Sequence, residues 1–200
     1  MIRILSLLTA LLMMAACAPT ATPSDPLSDL GAFRLGYNVV VADKMRKGPV
    51  SRDATKEEWE AALKKAVAQR FERYQGDQLY HLAISVEGYM LAPPGLPLVY
   101  KPKSALIINV TVWDDAANAK LNPKVEQMTI FESTTAGTFI VGSGNERTRE
   151  EQMQGLAANA VREVEAWMVK QRKEQGWFQP RDGAATTVRI PSALAPPANG

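Results

Sequence analysis

Four stretches of the chain alternate apolar and polar residues, and two longer stretches repeat apolar residues at helical spacing. The alternating stretches are 33–42, 79–90, 104–113 and 124–133, with a further short candidate at 138–141. Strict alternation is typical of half-buried β-strands, whereas apolar residues three and four apart indicate amphipathic helices. The resulting order, β-α-β-β-β-(β)-α, predicts an α+β domain.

Each predicted helix begins with a capping box, Thr55 with Glu58 and Thr148 with Glu151. The apolar stripes that follow are Trp59, Ala62, Leu63, Ala66, Val67, Arg70, Phe71 and Tyr74 in the first helix, which we expect to end near Gly76, and Met153, Leu156, Ala160, Val161, Val164, Trp167 and Met168 in the second. One stripe per helix predicts that both helices pack on one face of a mostly antiparallel sheet. We expect Trp59 and Trp167 to be buried at that interface.

The alternation also assigns a face to each strand residue. The predicted core face carries Leu35, Tyr37, Val39 and Val41, then Tyr80, Leu82, Ile84, Val86 and Met90, then Leu106, Ile108, Val110 and Val112. The predicted open face carries His81, Ser85, Glu87, Asn109, Thr111, Gln127 and Thr129. A sheet with one packed and one solvated face is the usual α+β arrangement.

The N-terminus reads as a secretory signal over residues 1–16. Arg3 is followed by an apolar run and by the small pair Ala15-Ala16, and the run is too short to span a bilayer. Met14-Ala15-Ala16-Cys17 resembles the lipobox of bacterial lipoproteins, with Met14 where Leu is usual. That resemblance implies that the Cys17 thiol receives a diacylglycerol, that the signal is cut before Cys17 and that the new amine is then acylated with palmitate. It also implies that the protein is directed to the outer membrane, facing the periplasm. The alternative is an ordinary secreted protein cut after Ala16.

Composition divides the remaining chain into three parts. Residues 17–32 are rich in Pro, Ala, Ser and Thr and predict a tether behind the lipidated cysteine. Residues 33–175 hold every predicted helix and strand and form the globular domain. Residues 176–200 are rich in Pro, Ala and Gly and predict a disordered tail, although Trp177-Phe178 at its start would either dock on the domain or anchor a partner.

The net charge and the counts of cysteine and histidine exclude several classes of function. The net charge is +2 with no basic block, so we expect no nucleic-acid partner. One cysteine and one histidine exclude a disulfide framework and zinc-finger spacing, and we expect no cofactor and no metal site. Ser85 and Glu87 lie too far along one strand from His81 to form a triad with it. We therefore predict no catalytic residue, and we expect Asp114-Asp115 to form a solvated turn.

The loop at 92–102 contains four prolines and carries the apolar residues Leu96, Leu98, Val99 and Tyr100. Exposed apolar residues usually mark a contact site, so Leu96, Leu98 and Tyr100 are the predicted contact with an envelope protein partner. The alternative is that this loop folds over the domain's own core.

The element order behind a lipidated tether resembles envelope auxiliary lipoproteins, including the curli-export lipoprotein and the lipoprotein partners of transport systems. That resemblance implies a non-enzymatic interaction or assembly component, held to the membrane by its lipid. Two other functions remain open: an envelope hydrolase or glycan-modifying enzyme that uses carboxylates such as Asp43, Asp53, Asp114 or Asp115, and a lipid or glycan carrier on the open sheet face.

Overall fold

The computed structural model describes residues 26–94, 103–133 and 147–181. Within them lie six strands and two helices: β1 (Phe33–Val41), β2 (Arg46–Lys47), α1 (Lys56–Phe71), β3 (Gln78–Met90), β4 (Ala105–Asp114), β5 (Ala119–Lys120), β6 (Glu126–Phe131) and α2 (Arg149–Gln175). The predicted α+β class is confirmed. The short strand predicted at 138–141 lies outside the described residues.

One mixed sheet contains all six strands. Its main order is β1-β3-β4-β6, in which β1 runs parallel to β3 and the other neighbours are antiparallel. The parallel pair requires a crossover connection, and α1 provides it. Both helices contact the same side of the sheet, α1 against β1 and α2 against β4 and β6, and the core lies between the two layers.

Both predicted capping boxes are present. The Thr55 hydroxyl accepts from the Glu58 backbone N–H while the Glu58 carboxylate accepts from the Thr55 N–H, and Thr148 and Glu151 repeat the arrangement. α1 ends at Phe71, earlier than the predicted end near Gly76. α2 ends where Gly176 adopts a left-handed conformation with φ of 69°, which glycine allows at low cost.

The predicted core face of β1 is wrong beyond Leu35. The register between β1 and β3 shifts between Leu35 and Asn38, and this irregularity exchanges the two faces of the strand. Val40 and Ala42 are therefore in the core. Tyr37, Val39 and Val41, predicted to be buried, are 72%, 46% and 42% exposed.

A second irregularity changes the end of β3. The register with β4 shifts between Val86 and Gly88, so Tyr89 and Leu91 are buried and Met90, predicted to face the core, is only half-buried. The remaining predicted core residues of β3 and all those of β4 are confirmed: Tyr80, Leu82, Ile84 and Val86, with Leu106, Ile108, Val110 and Val112.

The chain is packed beyond the predicted domain limits of 33 and 175. Leu30 is buried, and the Ala32 N–H donates to the Phe178 carbonyl at 2.9 Å. Trp177 and Phe178 dock on the domain's own core rather than projecting from it. Trp59 is fully buried as predicted, whereas Trp167 is only half-buried and meets Trp177 edge to face at 5.2 Å.

No helix in the described parts of the chain is both long enough and apolar enough to cross a bilayer.

Candidate functional site

The two ends of the domain carry different features. The tether pole comprises residues 26–32, the turn at 114–118 and residues 176–181, and the loop pole comprises residues 91–94, 103–104, 132–133 and 147–148. α1 and α2 both run from the loop pole to the tether pole. Arg149 pairs with Glu58 near the starts of the two helices, and Arg70 in the last turn of α1 pairs with Glu165 in the second half of α2.

At the tether pole, the last residues of the predicted tether lie against the helices. Arg70 Nη2 donates to the Pro26 carbonyl at 2.9 Å, and Arg172 Nη1 pairs with Asp29 Oδ2 at 2.9 Å. Residues 17–25 are therefore the only part of the predicted tether that could separate this pole from Cys17. Nine residues span at most about 30 Å.

At the loop pole, a connected set of hydrogen bonds holds the chain on either side of two segments outside the described residues. The Ala92 N–H donates to Ser104 Oγ at 3.1 Å, and the Glu132 N–H donates to the Ser104 carbonyl at 3.2 Å. Arg147 Nη1 pairs with Glu132 Oε1 at 2.6 Å, and Gln152 Nε2 donates to the Ala92 carbonyl at 3.1 Å. The positions where residues 95–102 and 134–146 leave and rejoin the domain are thus fixed.

Two buried acceptors at this pole accept no hydrogen bond from any residue that the structure describes. They are Gln152 Oε1, on a residue with no exposed surface, and Glu132 Oε2, on a residue that is 8% exposed. Buried polar atoms are ordinarily paired, so both oxygens can receive a donor.

Several sequence-predicted site residues lie outside the described part of the chain. They are the lipidation residue Cys17 and the predicted contact residues Leu96, Leu98 and Tyr100. Pro94 and Lys103, the described residues that flank the contact segment, both belong to the loop pole.

The open face of the sheet is more apolar than predicted. Seven of the large apolar side chains exposed among the described residues lie on it: Tyr37, Val39, Val41, Leu79, Ile107, Val125 and Phe131. The predicted polar residues interrupt them, and Val41, Ser85, Asn109 and Gln127 form one row across four strands. A depression of about 440 Å³ lies between Val39, Val41 and Val125 and is rimmed by Asp43, Lys44 and Glu87.

His81 has a partner on the open face that its own strand does not supply. His81 Nε2 lies 3.0 Å from Asp115 Oδ1, and His81 Nδ1 accepts the Tyr37 backbone N–H at 2.9 Å. With Nδ1 accepting, the proton of the neutral ring is on Nε2 and is donated to Asp115. The Nδ1 lone pair that would act as a base is therefore occupied by the backbone of β1 in this conformation.

The four carboxylates considered for catalysis do not converge. Asp43 pairs with Lys56 at 3.2 Å and Asp53 with Lys47 at 2.6 Å, both in exposed positions. Asp115 contacts His81, as described above. Within the described ranges, no group of three or more His, Cys, Asp or Glu side chains could hold a metal ion.

Asp114 does not lie in a solvated turn as predicted. It is 1% exposed, and its carboxylate is paired with Arg181 and accepts the Ala117 N–H at 2.9 Å. Burial by itself would raise the pKa of this carboxyl, but the hydrogen bonds from Arg181 and Ala117 together hold it below its usual value. Arg181 is in this way attached to the tether pole.

A second depression, of about 660 Å³, lies between the helices on the opposite side of the domain. Small side chains line its floor, namely Ala61, Ala62, Ala66, Ala157 and Ala158.

No protein-family model matches the chain, and no curated protein matches it. Among solved structures, a DUF330 protein from Xanthomonas campestris has a TM-score of 0.42 at 12% identity, covering 77% of this chain and 93% of its own. The PelC dodecamer from Paraburkholderia phytofirmans gives 0.34 at 10% identity, covering 66% and 88%.

A minor lipoprotein from Acinetobacter baumannii gives a TM-score of 0.29 at 16% identity, covering 68% of this chain and 94% of its own. The three TM-scores are below 0.5, so these similarities carry no argument about what the chain does.

Proposed function

We propose that this chain is an outer-membrane lipoprotein, anchored through acyl chains on Cys17, whose domain faces the periplasm and acts as a non-enzymatic interaction or assembly component. The observation that carries the proposal is the lipobox Met14-Ala15-Ala16-Cys17, which uses the only cysteine of the chain. Several acyl chains on one residue make a stable anchor, because each buried methylene contributes about 0.8 kcal/mol.

The tether pole and the loop pole lie at opposite ends of the domain, and this arrangement supports an orientation with the loop pole away from the membrane. An anchor at Cys17 holds the tether pole within about 30 Å of the membrane surface. β3, with 13 residues, spans about 40 Å between the poles. The loop pole then lies on the side remote from the tether, where a partner in the periplasm can reach it.

The loop pole also has the construction expected of a contact site. Leu96, Leu98 and Tyr100 lie between Pro94 and Lys103, and the chain on either side of this segment is held by Ser51, Ser104 and Gln152. A rigid base reduces the entropy lost when a loop binds a partner.

The other two functions have less support. A carrier of lipid requires a deep apolar groove, whereas the depression on the open face is partly open to solvent and mixes valines with Ser85, Asn109 and Thr111. A carboxylate enzyme requires two acids facing one substrate, whereas the acids considered for that role form separate ion pairs.

The anchor is tested by Cys17→Ser in the full chain. We expect the variant to leave the membrane fraction and to take up no fatty-acid analogue, while wild type is membrane-bound and labelled. Solubilisation of wild type by detergent but not by high salt is the matching control, because it separates a lipid anchor from an electrostatic contact. An unlabelled wild type would overturn the lipoprotein assignment.

The contact loop is tested by replacing Leu96, Leu98 and Tyr100 together with Ser. We expect thermal stability to change little and cross-linking to an envelope protein in intact cells to fall. The matched control replaces Val39, Val41 and Val125 with Ser on the open face. Loss of the cross-link in the control alone would move the contact surface to the open face, and a loss of several kcal/mol in the loop variant would place the loop in the core.

A further inference from the structure

We propose that residues 186–190 of the chain's own C-terminal tail, Thr-Thr-Val-Arg-Ile, occupy the depression on the open face of the sheet. This inference does not depend on the lipid anchor or on the contact loop. It starts from the apolar side chains on the open face, which the described residues leave uncovered, and from the place where the described chain ends.

The tail starts at the rim of the open face. Arg181 is fixed at the tether pole by the buried carboxylate of Asp114, to which Arg181 Nη1 also donates at 3.2 Å. The next residue of β4's turn, Asp115, contacts His81 on the open face. Asp114 thus points to the core side of the sheet and Asp115 to the open side. Because Arg181 is held by Asp114, the tail begins where the chain can pass to either side.

The lengths match. Residues 182–185 are Asp-Gly-Ala-Ala, and four extended residues cover about 13 Å, enough to pass around the end of a sheet. The five residues 186–190 then extend about 17 Å. That equals the length of the five β4 residues from Trp113 to Asn109, which brings the segment over the depression.

The chemistry of the segment also fits. Val188 and Ile190 are two apart, so an extended chain presents both to the same side, opposite the exposed Val39 and Val125. Four of the five residues are β-branched, which favours an extended chain. Pro191 then follows, and it limits continuation of a regular strand.

Charge complementarity points the same way. Glu87 lies on the rim of the depression and accepts the Ser85 hydroxyl at 2.7 Å, but the salt bridges among the described residues do not include it. Arg189 is the only basic residue of the tail after Arg181. The segment 186–190 contains Arg189, so it brings one positive charge to the side of the domain where Glu87 lies, on a rim that also carries Asp43 and Lys44.

The tail is a stronger candidate for this surface than a second copy of the chain. A segment joined to its site by a few residues has an effective concentration in the millimolar range. A second copy would have to exceed that concentration, or bind much more tightly, to displace it.

The test uses the full chain with Cys17→Ser, so that introduced cysteines are the only thiols. Val188→Cys is combined with Ala83→Cys in the depression, and in the matched control with Ala158→Cys in the groove between the helices. A short bismaleimide is added at micromolar protein concentration. We expect cross-linking within one chain to be at least fivefold higher for the Ala83 pair than for the Ala158 pair.

Equal yields for the two pairs would overturn the proposal, because they would mean that the tail does not prefer the open face. Cross-links between chains at Ala83 would also overturn it and would identify a second copy as the occupant. A second measurement uses a chain that stops after Arg181. We expect it to protect Ala83→Cys from maleimide severalfold less than the full chain does, and unchanged protection would contradict the proposal.

Discussion

Arg70 of α1 and Glu165 of α2 form a two-point ion pair in the core of the domain. Arg70 Nη2 and Nε donate to Glu165 Oε2 at 2.6 and 2.9 Å, and only 13% and 5% of the two side chains are exposed. Tyr74 donates its hydroxyl to the other carboxylate oxygen. Burial, together with the neighbouring carboxylate, raises the pKa of the Tyr74 hydroxyl well above its usual value.

This pair predicts an unequal response to single and double substitution. Glu165→Ala removes the carboxylate that pairs with the buried Arg70 guanidinium and should lower the free energy of unfolding by about 3–5 kcal/mol. Replacing both with Met should cost less than Glu165→Ala alone, because no charge then stays buried. Urea unfolding of wild type, Glu165→Ala and the double Met variant measures this. The exposed Lys170–Glu174 pair is the control, and Glu174→Ala should cost less than about 1 kcal/mol.

The two helix tryptophans should differ in their contributions to stability. Trp59 is fully buried, and Trp59→Ala should cost about 3–5 kcal/mol. Trp167 is half-buried against Trp177, so Trp167→Ala should cost distinctly less than Trp59→Ala. Chemical denaturation with equal m-values provides the comparison. Equal losses would show that the outer part of α2 packs more tightly than its exposure indicates.

A glycine-to-alanine exchange should have opposite effects at two positions. A Cβ on Gly76 would lie 2.2 Å from the carbonyl carbon and oxygen of Ala32, so Gly76→Ala must displace the backbone before β1 and should destabilise by about 1–3 kcal/mol. A Cβ on Gly155, in the second turn of α2, meets nothing closer than 4.0 Å. Gly155→Ala should stabilise by about 0.5–1 kcal/mol through helix propensity. Thermal unfolding of both variants decides the sign.

Glu58 should titrate far below an ordinary glutamate. Hydrogen bonds from Arg149, at 2.6 and 2.7 Å, and from the Thr55 N–H hold its pKa at about 2, against a usual 4.5. Because the pKa is lower in the folded state, the contribution to stability is complete above pH 4.5 and is lost as the pH falls towards 2.

The measurement is an NMR titration of the Glu58 side-chain carboxyl carbon. Arg149→Gln should raise the pKa of Glu58 towards 4.5, whereas Arg162→Gln, which removes a charge that does not contact Glu58, should leave it near 2. A value near 4.5 in wild type would contradict the bidentate contact.

The sequence predicted the elements well because their signals are local. The capping boxes at Thr55 and Thr148 depend on residues three apart, and the face of β4 follows from an uninterrupted alternation. The faces of β1 and the end of β3 could not be predicted in the same way. Val39, Val40 and Val41 are consecutive and apolar, so either face could have been buried, and the choice depends on an irregularity in the pairing with β3.

The contacts of the candidate sites likewise divide into those that local sequence predicts and those that depend on how distant segments pair. The contact between His81 and Asp115 joins β3 to the turn after β4, so it follows from strand register and not from spacing along one strand. The pair of Arg70 and Glu165 did have a signal in the sequence, because Arg70 was the only polar residue in the predicted apolar stripe of α1. A buried cation on one helix predicts an anion on its neighbour, and Glu165 lies between Val164 and Trp167 in the stripe of α2.

The backbone hydrogen bond from Ala32 to Phe178 brings the first and the last described segments of the chain side by side at the tether pole. A circularly permuted chain follows from this arrangement: a short linker would join residue 181 to residue 26, and new termini would be opened in the exposed turn at 115–118 between β4 and β5. Such a chain keeps every strand pairing described above. The order of the helices and strands along the chain can therefore be changed without changing the contacts that hold the domain folded.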